Sequence, residues 1–208
     1  MKSYWDQRYD EEGEIWGNMP SITVSRADMV FSEHGCSRII VPGCGYGRNT
    51  NYFQRKGYSV TGVDISESAI FLARKVNPQV SYITSSVFDA DFPSNSFDGI
   101  YAFNFLHFLL HEERKNFLRQ YLGYVRPTGV AFFTVFSEEE KGFGAGTEVE
   151  PHTFESKLGR PAHYFTREDL LNHFSLYSIL DEGLIEEPEL HGKDGHHVHY
   201  LRYVAVKV

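Results

Sequence analysis

The chain has little cysteine, no long apolar run and no excess of positive charge, and each of these shortages excludes a class of protein. Only two of the 208 residues are cysteines, Cys36 and Cys44, and they form no CxxC pair. A disulfide-stapled scaffold is therefore excluded, and a reducing compartment is favoured. The formal net charge of −8 argues against a nucleic-acid backbone or an anionic membrane as the main partner. No stretch approaches the roughly 18 apolar residues of a membrane-spanning helix, and the N-terminus lacks the apolar core of a secretory signal. These absences lead us to expect a cytoplasmic protein.

Composition is otherwise that of a globular protein, with 41% hydrophobic and 23% charged residues. From residue 38 onward, short apolar runs alternate with helical patterns, which predicts a parallel sheet with helices on both faces. The predicted strands that carry this pattern are 38–42, 59–64, 81–86, 97–103 and 129–136.

The end of the chain follows a different pattern. "YSILDEGLIEE" (177–187) and "HYLRYVAVKV" (199–208) lie too close together for a helical crossover, so they predict an antiparallel pair. We therefore expect one domain, residues 1–208, with a Rossmann-like, doubly wound α/β sheet of seven strands. Its strands are mostly parallel, and the last one is antiparallel.

A glycine-rich loop follows the first predicted strand. In "VPGCGYGRN" (41–49), Gly43, Gly45 and Gly47 alternate, which is more glycine than a tight turn needs. This excess indicates that something besides the chain itself approaches the backbone there. Asp64 ends the next strand, where a carboxylate can accept hydrogen bonds from two ribose hydroxyls. A dinucleotide loop would place its third glycine at position 48, where Arg48 stands. The pattern therefore favours a nucleoside site over a dinucleotide site.

The G-x-G-x-G loop resembles the first motif of the class I S-adenosylmethionine-dependent methyltransferases. Three later segments, "VTGVDIS", "FPSNSFDGIYAFNFLHFL" and "RPTGVAFFTVF", are similar to the second, fourth and fifth strand motifs of that superfamily. "VPGCG" and the opening "YWDQRY…IWG" resemble its small-molecule branch of thiopurine, thiol and tellurite-resistance methyltransferases. Two positions depart from the family pattern, because Val41 and Ser86 stand where acidic residues are usual.

The resemblance implies S-adenosyl-L-methionine as cofactor, a small-molecule acceptor such as a thiol or chalcogen, and a set of binding residues. Those cofactor-binding residues are Gly43, Cys44, Gly45, Gly47, Asp64, Ile65, Ser86, Val87, Ala102, Phe103 and Trp16. The catalytic candidates are Asn104, as a polar group at the methyl end, and His107, as a general base whose reference pKa lies near neutrality. For His107, a packed turn is the competing interpretation.

Two further segments invite hypotheses. His197 and His199 share one face of a predicted strand, and His191 and His163 could join them around a metal ion. The tight Cys/His spacing of a structural zinc site is missing, so we predict no metal site. Residues 137–165 form a long glycine-bearing insertion, which we interpret as a substrate lid, a disordered surface excursion being the alternative.

Two other functions remain open from the sequence. No residue pair forms a compelling catalytic dyad, so a non-catalytic S-adenosylmethionine-binding module stays an alternative to an enzyme. A nucleotide-dependent oxidoreductase is the second alternative, against which Arg48 argues.

Overall fold

The structure is a computed structural model that describes residues 2–190 and 195–208. The α-helices are α1 (Lys2–Glu12), α2 (Thr23–Glu33), α3 (Arg48–Arg55), α4 (Glu67–Val76), α5 (His111–Gly123) and α6 (Arg167–His173), and a 3-10 helix spans Leu106–Phe108. The strands are β1 (Arg38–Pro42), β2 (Ser59–Asp64), β3 (Ser81–Thr84), β4 (Phe97–Phe103), β5 (Val125–Phe136), β6 (Thr147–Glu150), β7 (Thr153–Lys157), β8 (Arg160–His163), β9 (Ser178–Leu190) and β10 (His196–Lys207).

Seven of these strands form one sheet, in the order β3-β2-β1-β4-β5-β10-β9. The pairs among β1 to β5 are parallel, whereas β10 runs antiparallel to both of its neighbours, β5 and β9. The predicted seven-stranded sheet with an antiparallel last strand is thus confirmed, although that strand begins at His196 instead of residue 199.

Helices cover both faces of the sheet, so the central strands are buried on both sides. Alternate side chains of β4 show this arrangement. Ile100 packs in the cluster that contains Phe117 of α5, whereas Tyr101 packs in the cluster that contains Phe31 of α2. Among the described residues, no helix is both long and apolar enough to cross a bilayer.

Local signals that the sequence shows also set where helices begin and end. Ser66 caps α4, because its hydroxyl accepts a hydrogen bond from the amide of Ala69 at 3.1 Å. Gly57 follows α3 with φ = 95°, a conformation in which glycine replaces side-chain-bearing residues at helix ends.

The insertion 137–165 is an ordered substructure and not a disordered excursion. It contains a three-stranded antiparallel sheet in the order β6-β7-β8. Phe143 packs edge-on against Phe154 and Tyr164, with ring centroids 5.4 and 5.8 Å away. The carboxylate of Glu150 accepts a hydrogen bond from the amide of His111 at 2.9 Å, which ties this small sheet to the start of α5.

A buried polar network joins the start of α2 to β9. The hydroxyl of Ser21 donates to Glu187 Oε2 at 2.8 Å, and the amide of Ile22 donates to Oε1 at 3.3 Å. Glu187 is only 1% exposed. Burial raises the pKa of Glu187 to about 7, even though the Ser21 hydrogen bond favours the ionised form.

This raised pKa predicts a pH-dependent effect of Glu187→Gln on stability. The contribution of Glu187 is fully present below its unfolded-state pKa and is lost as the pH rises through about 7. Between about pH 5 and about pH 8, the stability of the variant relative to the unsubstituted protein should therefore rise by about 1–3 kcal/mol. Urea unfolding at both pH values measures this change. Glu186→Gln, at an exposed position of the same strand, is the control; an equal pH effect in both variants would contradict the assignment.

Candidate active site

A cavity of about 430 Å³ opens at the carboxyl ends of β1, β2 and β4. This is the edge at which open α/β sheets bind ligands. Most of the predicted site residues line it, namely Trp16, Gly43, Cys44, Gly45, Asp64, Ile65, Ser86, Val87, Phe103, Asn104 and His107. The cavity does not include two others. Gly47 is the residue before α3, and Ala102 is fully buried within β4.

Two features of the chain require glycine in this loop: the backbone conformation of the turn, and side chains that pack close to it. All three glycines have positive φ, with 64° at Gly43, 55° at Gly45 and 87° at Gly47. A Cβ atom at these positions would lie 2.6 Å from Phe105, 2.8 Å from Tyr9 and 2.6 Å from Tyr82, respectively. The sequence-based inference that something besides the chain must approach this backbone is therefore unnecessary. The loop nevertheless presents Gly43 and Gly45 to the cavity.

The Asp64 carboxylate connects the loops that follow β1 and β2. Its Oδ2 accepts a hydrogen bond from the amide of Gly45 at 2.8 Å, and its Oδ1 accepts one from the amide of Ser66 at 2.9 Å. Burial raises the pKa of Asp64, while these amides favour the ionised form. A carboxylate has about four acceptor positions, so two remain for ligand hydroxyls.

A buried ion pair closes another side of the cavity. Arg48 at the start of α3 forms a salt bridge with Glu189 on β9, and both side chains are almost fully buried. The guanidinium also lies over the rings of Trp16 and Phe103, 5.9 and 5.2 Å from their centroids. These aromatic faces therefore already interact with a cation of the protein.

The aromatic segment around Trp16 packs onto the glycine loop. Trp16 stacks on Tyr46 with ring centroids 6.2 Å apart and an interplanar angle of 13°. The Tyr46 hydroxyl donates to the carbonyl of Gly17 at 2.6 Å and accepts from the amide of Trp16 at 3.1 Å. The N-terminal segment thus packs against the glycine loop.

His107 is held as a neutral imidazole. Its Nδ1 accepts a hydrogen bond from the amide of Phe136 at 3.2 Å, which places the proton of the neutral ring on Nε2. Burial lowers the pKa of His107 well below its usual value, and the nearby charge of Arg160 lowers it further. A ring in this tautomer offers a donor to the cavity, which argues against the expected role as a general base.

Asn104 follows β4 in a left-handed conformation, with φ = 49°. Its Oδ1 accepts a hydrogen bond from the Thr134 hydroxyl at 3.1 Å, and its backbone amide donates to that hydroxyl oxygen at 2.9 Å. Since Oδ1 is engaged, the side-chain amide nitrogen is the group that Asn104 can offer to a ligand. Non-glycine residues with positive φ are uncommon outside constrained sites.

Sequence reasoning missed several residues of the cavity wall. Trp5 and Arg8 come from α1, Lys157 and Arg160 from the insertion, and Glu189 from β9. No motif marks these positions, because each reaches the cavity from a segment distant in sequence. The expected proximity of the insertion to the active edge is seen in Lys157 and Arg160.

The histidines of the C-terminal hairpin lie beside the cavity without forming a metal site in the described part of the chain. His199 Nδ1 is 2.6 Å from Glu140 Oε1, and His163 Nε2 is 2.7 Å from Asp169 Oδ2. No cluster of three or more potential metal ligands occurs among residues 2–190 and 195–208. His197 stacks on His199 with ring centroids 6.5 Å apart, and His191, the fourth member of the metal hypothesis, lies outside the described residues.

The strand order and edge cavity define a class I methyltransferase fold. The solved structure of Burkholderia thailandensis 1,6-didemethyltoxoflavin-N1-methyltransferase, with 1,6-didemethyltoxoflavin and S-adenosylhomocysteine bound, matches with a TM-score of 0.73 and 21% identity. The match covers 99% of this chain and 86% of that one. At 21% identity, this similarity shows that the two chains share a fold and nothing more.

Sequence comparison finds similarity to methyltransferases over part of the chain. Residues 40–133 match the family described as a methyltransferase domain. The mitochondrial ubiquinone biosynthesis O-methyltransferase of Schizosaccharomyces pombe is 30% identical over 138 residues, which cover 62% of this chain and 48% of that protein. Thiocyanate methyltransferase 1 of Arabidopsis thaliana is 26% identical over 162 residues, which cover 74% of this chain and 70% of that protein. The chain thus spans about half of the first relative. Over residues 40–133 it is similar to methyltransferase domains, and its fold is like that of a solved S-adenosylmethionine-dependent methyltransferase of Methanosarcina mazei.

The position of Asp64 predicts a loss of cofactor affinity in Asp64→Asn. The substitution removes the charge that we expect to receive the ribose hydroxyls, so binding of S-adenosylhomocysteine should weaken by about 1.5–3 kcal/mol. Isothermal titration measures the affinity, and thermal unfolding checks that the variant is folded. Asp6→Asn is a matched control, since Asp6 accepts from the neighbouring Ser66 hydroxyl and does not line the cavity. Unchanged affinity in folded Asp64→Asn would refute the assignment.

Proposed function

We propose that this protein is an enzyme that transfers the methyl group of S-adenosylmethionine to a small-molecule acceptor. The observation that carries the proposal is the continuous cavity at the carboxyl edge of the sheet. The glycine loop and Asp64 line one part of it, and an aromatic compartment with buried donors lines the other. The first part has the chemistry of a nucleoside site, and the second has room for an acceptor.

The residues of the first part suit the cofactor. Asp64 has free acceptor positions for the ribose hydroxyls, and Ile65 offers an apolar surface for adenine. Ser86 and Val87 line the cavity where the adenine edge is expected. Gly43 and Gly45 bring backbone to the cavity wall without side chains, so the remainder of the nucleoside can lie close to the main chain.

Bound S-adenosylmethionine supplies an electrophilic methyl group on a sulfonium. The protein's part is to orient the acceptor against that group and to exclude water. The buried rings around the compartment serve this exclusion. The Asn104 amide and the His107 Nε2–H are fixed donors that can position a polar group of the acceptor.

His107, the sequence-based candidate for a general base, is held as a hydrogen-bond donor. A thiol or chalcogen acceptor requires little base assistance, because its anion is accessible near neutral pH. The likeness to a thiocyanate methyltransferase supports a soft nucleophile of this kind. The presence of only two cysteines, both free thiols, supports the cytoplasm as the compartment in which this reaction takes place.

We further propose that the insertion 137–165 closes the acceptor compartment. Its β7–β8 hairpin places Lys157 and Arg160 on the cavity wall. Of the glycines that precede the hairpin, Gly142 and Gly146 are tightly packed, because Cβ atoms there would lie 2.2 Å from Tyr164 and 2.3 Å from Glu155, whereas Gly144 has open space around it. Closure would therefore involve the hairpin tip more than these glycines.

Binding and turnover experiments test the function. We expect S-adenosylmethionine and S-adenosylhomocysteine to bind in isothermal titration, and NAD not to bind. Labelled methyl transfer should then occur to at least one member of a panel of thiols, selenols, phenols and amines. Binding without transfer to any acceptor would favour a non-catalytic module. Binding of NAD in preference would favour a nucleotide-dependent oxidoreductase.

Shortening the β7–β8 hairpin should separate cofactor binding from turnover. Replacing residues 156–160 by Asn-Gly gives a two-residue turn and keeps the Phe154–Ala162 and Thr153–His163 pairs. The affinity for S-adenosylhomocysteine should stay within about threefold, or about 0.7 kcal/mol. Turnover of the best acceptor should fall by about a hundredfold, because the acceptor loses part of its wall. Parallel loss of both quantities would mean that the hairpin is structural, and no change in either would mean that it is a surface loop.

A further inference from the structure

The acceptor compartment contains two buried hydrogen-bond donors for which the described chain offers no acceptor. They are Nε2 of His107 and Nε of Arg160, and both residues line the cavity. A buried donor without a partner costs about 1–3 kcal/mol, so native structures rarely keep one without reason. Two such donors at one cavity point to a ligand that accepts hydrogen bonds.

The His107 donor is fixed in place. The amide of Phe136 holds Nδ1, and the Phe136 ring stacks on the imidazole with centroids 3.8 Å apart and planes inclined by 15°. The ring is fully buried. His107 is therefore held in one orientation at the cavity wall, with the ring proton on the buried Nε2.

Arg160 is a largely buried cation without a counter-ion among residues 2–190 and 195–208. Its guanidinium lies over the rings of Tyr4 and Phe108, 5.3 and 5.5 Å from their centroids, and burial lowers its pKa. The two other arginines of the cavity have carboxylate partners, because Arg48 pairs with Glu189 and Arg8 pairs with Glu12. In a chain with a net charge of −8, this unpaired positive group is a local exception.

The two donors belong to one subsite. β8, which begins with Arg160, packs against the 3-10 helix that carries His107. Phe108 contacts both groups, with its ring 4.2 Å from the imidazole and 5.5 Å from the guanidinium carbon. Phe136 and Trp5 complete an apolar wall around them.

We propose that the acceptor carries a carboxylate, held by Arg160 and His107, on a flat apolar body that packs against Phe108 and Phe136. A carboxylate supplies both the negative charge that Arg160 lacks and an acceptor for His107 Nε2–H. The inference rests on the proposed function, since it assigns this compartment to the methyl acceptor. It adds the substrate class, which is aromatic or planar acids.

The carboxylate in this subsite is an anchor and not the methyl-accepting atom. Hydrogen bonds from a guanidinium and an imidazole N–H stabilise negative charge on the oxygens, which reduces their nucleophilicity. The methyl group therefore goes to another atom of the acceptor, such as a thiolate on the same ring. Carbon–sulfonium bond cleavage then leaves S-adenosylhomocysteine, and the new sulfur–carbon bond forms with the electron pair of the thiolate.

The proposed carboxylate anchor can be tested without turnover, by comparing the affinities of acids with those of their primary amides. With S-adenosylhomocysteine present in saturating amount, we expect benzoate, phenylacetate or 2-mercaptobenzoate to bind at least about tenfold more tightly than its primary amide. Isothermal titration and the shift in thermal unfolding temperature measure the preference. If no acid binds, or if acids and amides bind equally, the proposal is overturned.

Substitutions test whether Arg160 causes the preference for the acid over the amide. Arg160→Met should reduce the affinity for the acid about tenfold or more, so that acid and amide bind equally. Arg160→Lys should retain part of the preference for the acid. Lys141→Met is the matched control, because Lys141 is an exposed cation of the same insertion that does not line the cavity. A preference that persists in Arg160→Met, or that is lost equally in Lys141→Met, would overturn the proposal.

Two readouts keep the test independent of folding and of the proposed function. Removing a buried cation without a partner should leave the unfolding temperature of the ligand-free protein unchanged or raise it. If Arg160→Met is nonetheless unstable, Arg160→Gln takes its place with the same expectation. Failure of the proposed function would appear as no S-adenosylhomocysteine binding in any variant, or as binding without methyl transfer to any acceptor. Failure of the anchor would appear as normal S-adenosylhomocysteine binding without acid–amide discrimination.

Discussion

One buried carboxylate fixes the relation between the first two loops of the sheet edge. Asp64 accepts from the Gly45 amide at 2.8 Å and from the Ser66 amide at 2.9 Å, so it sets the glycine loop and the start of α4 together. Gly45 has φ = 55°, a conformation that the loop keeps because its amide is held. The position of the cavity floor follows from these bonds, since the floor consists of the two loops that Asp64 connects.

The ion pair between Arg48 and Glu189 is the corresponding constraint at the other side of the cavity. It joins the helix that follows the glycine loop to the strand β9 of the C-terminal hairpin. A buried pair of this kind contributes little net stability, but it specifies one arrangement of the elements that carry it. His199 extends this arrangement. Although burial opposes a charged ring, the hydrogen bond to Glu140 raises the pKa of His199. The antiparallel hairpin thereby forms a polar wall of the cavity.

The sequence predicts features that depend on neighbouring residues and misses those that depend on distant ones. Strand positions, the Ser66 cap, the glycine loop and the end of β2 at Asp64 all follow from local patterns. Glu189 lies 141 residues from its partner Arg48, and no local pattern marks either as a partner of the other. The small sheet of the insertion escaped prediction because its strands, TEVE, TFESK and RPAH, lack the apolar runs that mark the central strands of the main sheet. The tautomer of His107 depends on an amide 29 residues away.

This division between local and distant determinants coincides with the two halves of the cavity. Backbone and loop residues that lie close together in sequence build the nucleoside half, and its shape is bound to the sheet. The acceptor half consists of side chains from α1, β8, β9 and the 3-10 helix. A substitution such as one at Arg160 changes the charge of that half without touching a hydrogen bond of the glycine loop. Under the proposed function, the same sheet can therefore keep its cofactor chemistry while the acceptor half determines which molecule receives the methyl group.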